Sequence, residues 1–330
     1  MPSPLNPSPD AESSSTRPKV VLSEHLSEHA RQWLARHCHV VASPHDAPGF
    51  AKTLRDADGL IVRTYTRVDE QLLQAAPKLR VVARAGAGLD NIDVPAARRR
   101  GIEVVYAPDA NTQAVVEYVL CLLGDALRPR ITLDRAVDAQ RWSDLRQQTV
   151  GRRQLNQLTL GILGLGRVGR KLASVASAIG MNVLYNDLVD IPAERRSGAS
   201  PVTAEALFDA ADVISIHIDG RQSNRRFVSR LLLARMKDEV VFINTSRGFV
   251  VDAAALADFL TDHPHAQAML DVHEPEPFSQ DYPLLGVPNA KLYPHLASRT
   301  AQAMDNMSWV VRDVVAVLQA RQPQHPAPAV

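Results

Sequence analysis

The segment 158–169 has the residue spacing of a nucleotide-binding loop. An apolar stretch runs into glycines at 164, 166 and 169, a helix-forming segment follows, and a second apolar stretch ends at Asp187. In such a strand–helix–strand unit the first glycine permits a tight turn, the second lets a pyrophosphate approach the backbone, and the third lets the helix pack on the strand. The helix N-terminus adds unpaired N–H groups and a positive dipole. We therefore predict a dinucleotide site made of Gly164, Gly166, Arg167, Val168, Gly169 and Asp187.

Asp187 also bears on which dinucleotide binds. Its carboxylate would accept hydrogen bonds from the adenosine ribose and repel the additional phosphate of NADP. Residues 188–190, which follow, contain no cation that could hold such a phosphate. Arg195 and Arg196 lie farther along the chain and leave a phosphate contact open. The sequence therefore predicts NAD as the cofactor.

Three segments further on contain residues with the chemistry that a proton transfer to a carboxylate-bearing substrate requires. Arg247 follows a predicted strand, and a guanidinium at the carboxyl end of a parallel strand can hold a carboxylate bidentately. Glu276 lies between Pro275 and Pro277, which fix the local backbone, and Glu274 precedes Pro275. His295 lies between a strand and the last helix, and imidazole is the side chain best suited to proton exchange near neutral pH. Each of these residues taken alone is more often a surface or structural residue.

Composition limits the classes of partner. The formal net charge is +1, so no basic excess indicates nucleic acid or an anionic membrane. The two cysteines, Cys38 and Cys121, form neither a disulfide framework nor a zinc pattern, and Cys121 lies in an apolar run that predicts a core position. Residues 1–18 predict a disordered tail rather than a signal peptide, and no apolar stretch is long enough to span a membrane. We expect a cytoplasmic protein that acts on a small molecule and binds no metal.

The elements that must position the candidate residues alternate between short apolar strands and helices. This alternation predicts a parallel sheet covered by helices from residue 19 to about 107. The segment 111–128 predicts a buried helix, and 129–157 an irregular arm. The strands from 158 onward predict a second parallel sheet. An amphipathic pattern over 300–319 predicts one final helix that completes the first lobe.

Taken together, these blocks resemble the D-isomer-specific 2-hydroxyacid dehydrogenase family, from about residue 19 to residue 320. Beyond the glycine loop, the resemblance lies in the blocks 84–93, 111–118, 244–252, 271–277 and 294–295. It implies that His295 is the acid/base, that Glu276 rather than Glu274 is its carboxylate partner, and that Arg247 anchors the substrate. It further implies that Asp271 and Thr245 belong to the cofactor site, and that the substrate site includes Arg63 and the backbone of Ala87 and Gly88.

The resemblance also implies the fold class and the reaction. The fold class is α/β with two doubly wound parallel-sheet lobes. One is a Rossmann NAD-binding domain over 108–296, and the other is a flavodoxin-like substrate-binding (lid) domain over 19–107 and 297–330. The reaction is a reversible hydride transfer between NADH and a small 2-oxo acid. A homodimer is implied, formed mainly through the nucleotide lobe with a contribution from the 129–157 arm.

The substrate and one rival function stay open from the sequence. Arg63 and Arg84 suit a second anionic group, so phosphoglycerate or sulfolactate stands beside glyoxylate and hydroxypyruvate. The rival is a dinucleotide-sensing binding protein of the corepressor type on the same fold. The chain also departs from its relatives: 218–221 reads Ile-Asp-Gly-Arg where a proline is common, and Asp109 stands where glycine is usual. These departures concern the details of the cofactor cleft.

Overall fold

A computed structural model describes residues 17–128, 130–151 and 153–328. The predicted tail, residues 1–18, lies outside the described residues except for Arg17 and Pro18. The chain divides into two compact units: unit 1 comprises the residues up to 85, 91–106 and those from 308 onward, whereas unit 2 comprises 86–90 and 107–307. The contacts therefore place 86–90 and 297–307 in unit 2, whereas the sequence analysis placed both segments in the first lobe.

Unit 1 is built on a parallel sheet whose strands are short and apolar. Its elements in chain order are β1 (Lys19–Leu22), α1 (Glu28–Ala35), β2 (His39–Ala42), α2 (Phe50–Leu54), β3 (Gly59–Val62), α3 (Glu70–Ala75), β4 (Val81–Arg84), α4 (Val94–Arg99) and β5 (Glu103–Tyr106). The five strands lie in the order β2-β1-β3-β4-β5. The strands β3 and β4 are buried along their whole length, as expected where helices cover both faces of a parallel sheet.

Unit 2 contains the glycine loop and a larger sheet. Its elements are α5 (Thr112–Leu127), α6 (Ala139–Gln148), β6 (Thr159–Leu163), α7 (Arg167–Ala178), β7 (Asn182–Asn186), β8 (Ser200–Pro201), α8 (Ala204–Ala210), β9 (Val213–Ile216), α9 (Arg230–Leu233), β10 (Val241–Asn244), α10 (Ala253–Asp262), β11 (Gln267–Leu270), β12 (Ala290–Leu292) and α11 (Ala301–Ser308). The last helix, α12 (Val311–Leu318), belongs to unit 1 and packs on β4 and α1.

The seven strands of unit 2 are parallel and lie in the order β12-β11-β10-β9-β6-β7-β8. The chain leaves β6 for β7 on one side and later returns to β9 on the other, so the strand order reverses at β6. Leu163 at the end of β6 pairs with Ile216 of β9 and with Asn186 of β7, which brings the three carboxyl ends level. Ligands of open α/β sheets bind in the crevice at such a reversal. The predicted fold class, α/β with two parallel-sheet lobes, is confirmed.

The structure corrects three details of the sequence analysis. The predicted irregular arm contains the helix α6, which Asp138 caps by accepting a hydrogen bond from the Arg141 N–H. The predicted final helix is two helices, α11 and α12. The sequence predicted one helix because the apolar stripe continues across the turn that separates them. Cys121 is exposed rather than in the core, since it lies on the outer face of α5. Within the described ranges, no helix is both long enough and apolar enough to cross a membrane.

Candidate active site

The glycine loop joins the end of β6 to the start of α7. Gly164 has a φ of +97°, and a Cβ there would lie 2.8 Å from the carbonyl carbon of His217. A Cβ on Gly169 would lie 2.2 Å from the carbonyl oxygen of Gly164, so only glycine lets the helix pack this closely. A Cβ on Gly166 would meet no described atom within 4 Å. The space at the N-terminus of α7 is therefore open to a ligand.

Asp187 lies at the end of β7, next to the glycine loop. Its Oδ2 accepts a hydrogen bond from the Leu165 N–H at 2.6 Å, and its Oδ1 accepts one from the Val189 N–H at 3.2 Å. A carboxylate has about four acceptor sites, so both oxygens retain capacity for hydroxyl donors. The carboxylate is thus fixed beside the loop while still able to bind a ribose.

A cavity of about 480 Å³ opens at the carboxyl ends of β6, β7 and β9. It is lined by six of the eight predicted cofactor residues: Gly164, Gly166, Arg167, Val168, Asp187 and Thr245. Gly169 and Asp271 are not part of its lining. The buried hydroxyls of Thr112 and Thr245, both on lining residues, find no hydrogen-bond partner within the described part of the chain. Unpaired buried hydroxyls are costly, so the cavity, its glycines and the Asp187 acceptor fit a polar dinucleotide.

Arg247 follows β10 and is held in one orientation. Asn244 closes the turn, since its Nδ2 donates to the Arg247 carbonyl at 2.9 Å and its Oδ1 accepts from the Ser246 N–H at 3.0 Å. The guanidinium donates from Nε and Nη2 to Asp90 Oδ1, at 2.9 and 2.7 Å, and from Nη1 to the Ser246 carbonyl at 2.6 Å. A Cβ on Gly88 would lie 2.0 Å from Nη2. Arg247 therefore lies directly against the loop that carries Gly88 and Asp90.

His295 and Glu276 form a hydrogen-bonded pair of partly buried side chains. The distance from His295 Nδ1 to Glu276 Oε2 is 2.8 Å, and Glu276 Oε1 accepts from the His273 N–H, also at 2.8 Å. Burial raises the pKa of Glu276, but the hydrogen bond and charge of His295 and the His273 N–H outweigh it, so this pKa lies below its ordinary value. The ionised carboxylate orients the imidazole through Nδ1 and leaves Nε2 for proton exchange with a ligand.

Asp271, at the end of β11, fixes the backbone around His295. The side chain is fully buried and accepts from the Leu296 N–H at 2.7 Å and the Ala297 N–H at 2.8 Å. The Asp271 carbonyl accepts from the His295 N–H at 3.0 Å, and His295 itself has a φ of +57°. Burial raises the pKa of Asp271 despite the two amide donors. The position of the imidazole thus depends on the strand end next to it.

Neighbouring strands bring these residues to one edge of the sheet. Asn244 of β10 pairs with Leu270 of β11, which pairs with Leu292 of β12. Arg247, Asp271 and His295 come one to three residues after these positions. Residues that are far apart in the sequence therefore meet because the three parallel strands end level.

The two predicted cations of unit 1 have local partners. The Arg63 N–H donates to Glu24 Oε1 at 2.9 Å, and its guanidinium donates to the His25 carbonyl at 3.3 Å. Arg84 is 8% exposed, and its Nε donates to Asn91 Oδ1 at 3.0 Å. The low exposure of Arg84 speaks against a direct substrate contact.

The sequence did not predict two residues of the site, Asp90 and Asn244. It also left open whether Glu274 or Glu276 pairs with His295, and what offsets the charge of Asp109. Asp90 and Asn244 had no assigned role, because Asp90 is 157 positions from Arg247 and no spacing rule connects them. Glu274 forms an ion pair with Arg225 at 2.6 Å, so Glu276 is the acid paired with His295. The unusual Asp109 forms an ion pair with Arg167 at 2.6 Å, which offsets its charge.

A nucleotide-type cavity, a histidine–carboxylate pair and an arginine at one sheet edge define the class of nucleotide-binding α/β oxidoreductases. The family model for "D-isomer specific 2-hydroxyacid dehydrogenase, NAD binding domain" matches residues 120–297. The chain belongs to the D-isomer specific 2-hydroxyacid dehydrogenase family. The predicted family and the prediction of NAD as cofactor are both confirmed.

Similar proteins carry several activities in their names. The chain is 37% identical to an (S)-sulfolactate dehydrogenase of Chromohalobacter salexigens, over 90% of this chain and 96% of that protein. It is 34% identical to a D-3-phosphoglycerate dehydrogenase of Archaeoglobus fulgidus, over 89% of this chain but only 56% of that protein. The chain thus spans little more than half the length of this second relative. A glyoxylate reductase structure from Paecilomyes thermophila superposes with a TM-score of 0.82 at 28% identity, covering 94% of this chain and 98% of that one.

Proposed function

We propose that this chain is an NAD-dependent dehydrogenase that interconverts a small 2-oxo acid and the corresponding D-2-hydroxy acid. The observation that carries the proposal is the 2.8 Å hydrogen bond between His295 Nδ1 and Glu276 Oε2, at the sheet edge where Arg247 also lies. NADH held in the cavity of unit 2 would supply the hydride. Unit 2, which contains residues 108–296, would form the NAD-binding domain, and unit 1 would form the substrate-binding (lid) domain.

His295 is the proposed acid in the reductive direction. Reduction of a 2-oxo acid turns its carbonyl oxygen into a hydroxyl, so that oxygen needs a proton. His295 Nε2 donates this proton, while ionised Glu276 stabilises the imidazolium through Nδ1. In the oxidative direction the same nitrogen accepts the hydroxyl proton. Glu276 acts as a positioning residue for the imidazole.

Arg247 is the proposed anchor for the substrate carboxylate. Its Nε side is engaged by Asp90, which leaves donors on Nη1 and Nη2 for the substrate. Such charge-assisted bonds also stabilise negative charge that develops on the carbonyl oxygen. The backbone N–H groups of Ala87 and Gly88, which line the cavity, would bind the same carboxylate. The role of Arg63 in the substrate site stays a prediction.

The proposed cofactor contacts follow from the cavity lining. Asp187 would accept from the adenosine ribose, and Gly166, Arg167 and Val168 would face the pyrophosphate at the start of α7. Thr245 lines the same cavity. Asp271 does not line it, and its proposed role of positioning the nicotinamide carboxamide comes from the family resemblance.

The names of the relatives support four substrate candidates. These are glyoxylate, hydroxypyruvate, phosphohydroxypyruvate and sulfopyruvate. We expect NADH oxidation with at least one of them, measured as the loss of absorbance of the reduced nicotinamide. If none is reduced above background while NADH still binds, the enzymatic proposal fails.

Two variants test the roles of the site residues. His295→Ala should lower turnover by about 10²- to 10⁴-fold, as expected for the loss of a general acid. Arg247→Ala should lower turnover and raise the KM for the oxo acid together. Arg230→Ala is a matched control, because Arg230 is exposed and paired with Asp258 on another part of unit 2. Near-normal turnover in both site variants would refute the mechanism.

We also infer a homodimer that forms through unit 2. The segment around α6 exposes large apolar side chains, with Ile131 52%, Leu133 46% and Trp142 52% exposed. Together with Leu145 they line a shallow cavity of about 380 Å³. Exposed apolar patches of this kind mark interaction surfaces. Light scattering should give twice the chain mass for the native protein and a smaller mass for Trp142→Ser, whereas a native monomer would refute the dimer.

We further propose that the enzyme acts in the cytoplasm.

A further inference from the structure

The segment after β9 places an acid and an arginine at the wall of the cofactor cavity. Asp219, Gly220 and Arg221 all line this cavity, as does Asp187. Arg221 donates from Nε to Asp219 Oδ1 at 2.7 Å and from Nη2 to Asp219 Oδ2 at 2.5 Å. This bidentate pair lies in the turn that follows β9, at the wall of the cavity.

Asp219 is held in position by more than Arg221. The buried Asn224 donates from Nδ2 to the Asp219 carbonyl at 3.0 Å and to its Oδ1 at 3.1 Å. The Arg221 N–H adds a bond to Oδ1 at 3.2 Å. The side-chain hydrogen bond from Arg221 is the largest influence that lowers the pKa of Asp219, so the carboxylate stays charged at neutral pH. The acid is therefore a fixed partner, and Arg221 is the movable one.

The charge of Asp187 also acts on Arg221, in addition to the dominant hydrogen bond from Asp219. The carboxylates of Asp187 and Asp219 thus both lie close to Arg221 at this part of the wall. A phosphate monoester on the adenosine ribose carries nearly two negative charges and would be repelled by that wall. The guanidinium of Arg196 has a partner of its own, since its Nε donates to the Ile191 carbonyl at 2.7 Å.

We propose that Asp219 is a cofactor-specificity residue, which withholds the guanidinium of Arg221 from the 2′-phosphate of NADP. The proposal rests on the cofactor site proposed above. Without the Asp219 charge, Arg221 is free to move toward the ribose and bind the phosphate, as arginines do in NADP-dependent enzymes. The Asp219–Arg221 pair is about half exposed, with side chains 56% and 55% accessible, so it is weak enough for one substitution to release it.

The test measures the dissociation constants of NADH and NADPH by nucleotide fluorescence, which needs no turnover. Asp219→Asn keeps the side-chain shape but removes the charge. We expect it to shift the ratio of the two constants toward NADPH by about tenfold, the equivalent of roughly 1.4 kcal/mol. Asp219→Ser is a second variant with the same expectation. Arg221→Ala in the native background should not shift the ratio toward NADPH, because it supplies no cation for the phosphate and leaves Asp187 and Asp219 uncompensated.

The decisive comparison is the double variant Asp219→Asn/Arg221→Ala, in which the gain should disappear. Asp190→Asn is the matched control: Asp190 is 94% exposed, its loss changes the net charge equally, and its partner Arg196 keeps the bond to Ile191. An unchanged ratio in both Asp219 variants would overturn the proposal. The proposal would also be overturned if the shift toward NADPH persisted in the double variant, or if Asp190→Asn gave an equal shift. If the native protein binds NADH but reduces no 2-oxo acid, that result would count against the proposed reaction and not against the role of Asp219.

Discussion

The Gly88→Ala variant tests how the substrate anchor is held. Gly88 lies in the loop next to Arg247, and an added Cβ would be 2.0 Å from Arg247 Nη2 and 2.7 Å from Asp90 Oδ1. Real contacts are never this close, so one group has to move. The atoms in the way are the ends of side chains rather than backbone, so we expect the guanidinium to swing away while the fold survives.

The size of the effect follows from the bonds that Arg247 can no longer make. A hydrogen bond to a charged group contributes about 1.5–3 kcal/mol. Loss of one bond to the substrate carboxylate would therefore cost about 1.5–3 kcal/mol, which corresponds to a decrease of about 10- to 150-fold in kcat/KM, and loss of both bonds would cost more. The ion pair with Asp90 is partly exposed, with side chains 22% and 27% accessible, so its loss should cost stability only about 1 kcal/mol.

The assay combines steady-state kinetics on the 2-oxo acid with urea unfolding. Gly124→Ala is the matched control, since Gly124 lies in α5 and a Cβ there would meet no described atom within 4 Å. Alanine is the better helix former, so Gly124→Ala should stabilise the protein by about 0.5–1 kcal/mol and leave kcat/KM unchanged. Native kcat/KM in Gly88→Ala, or an equal loss in both variants, would refute the reasoning.

Two further predictions use the same measurements. Gly248→Ala should fail to fold or lose several kcal/mol, because its Cβ would lie 2.0 Å from the backbone carbonyl carbon of His273, which cannot move aside as a side chain does; a native urea midpoint would contradict this. Glu24→Gln should destabilise unit 1, since the Glu24 carboxylate accepts from the N–H groups of Arg63, Thr64 and Thr66. Burial raises the pKa of Glu24, but these bonds outweigh it, so this pKa lies below its ordinary value of 4.5. The stabilisation by Glu24 is therefore present above pH 4.5 and is lost as the pH falls through the lower pKa of the folded state. The stability gap between the native protein and Glu24→Gln should therefore be largest near neutral pH and narrow below about pH 4, whereas a gap that widens in acid would contradict the assignment.

Local sequence patterns were sufficient to predict a site whose residues lie close together along the chain. The glycine loop and Asp187 belong to a single strand–helix–strand unit, so their spacing already predicted a nucleotide site. The core strands were equally predictable, because strands buried on both faces are short apolar runs. The arm was harder: α6 buries none of its residues, so it has no apolar stripe from which a helix is recognised.

The substrate side of the site is different, because its residues meet only through the sheet. From the residues alone, Glu276 was the candidate and Glu274 its rival, and the family resemblance favoured Glu276. The structure shows why, since Arg225 pairs with Glu274 and His295 with Glu276. The partner of Arg247 came from a loop 157 residues away, and no pattern in either segment indicates that contact.

The sequence by itself determined the fold class, the cofactor loop and the family, because these depend on periodicity and on spacing within short segments. Tertiary structure decided which charges face one another. The order of the parallel strands brought Arg247, Asp271 and His295 to one edge, and the turn after β9 set Asp219 against Arg221. Such pairings are set by distances in space, which the strand order fixes and which the position of a residue along the chain does not record.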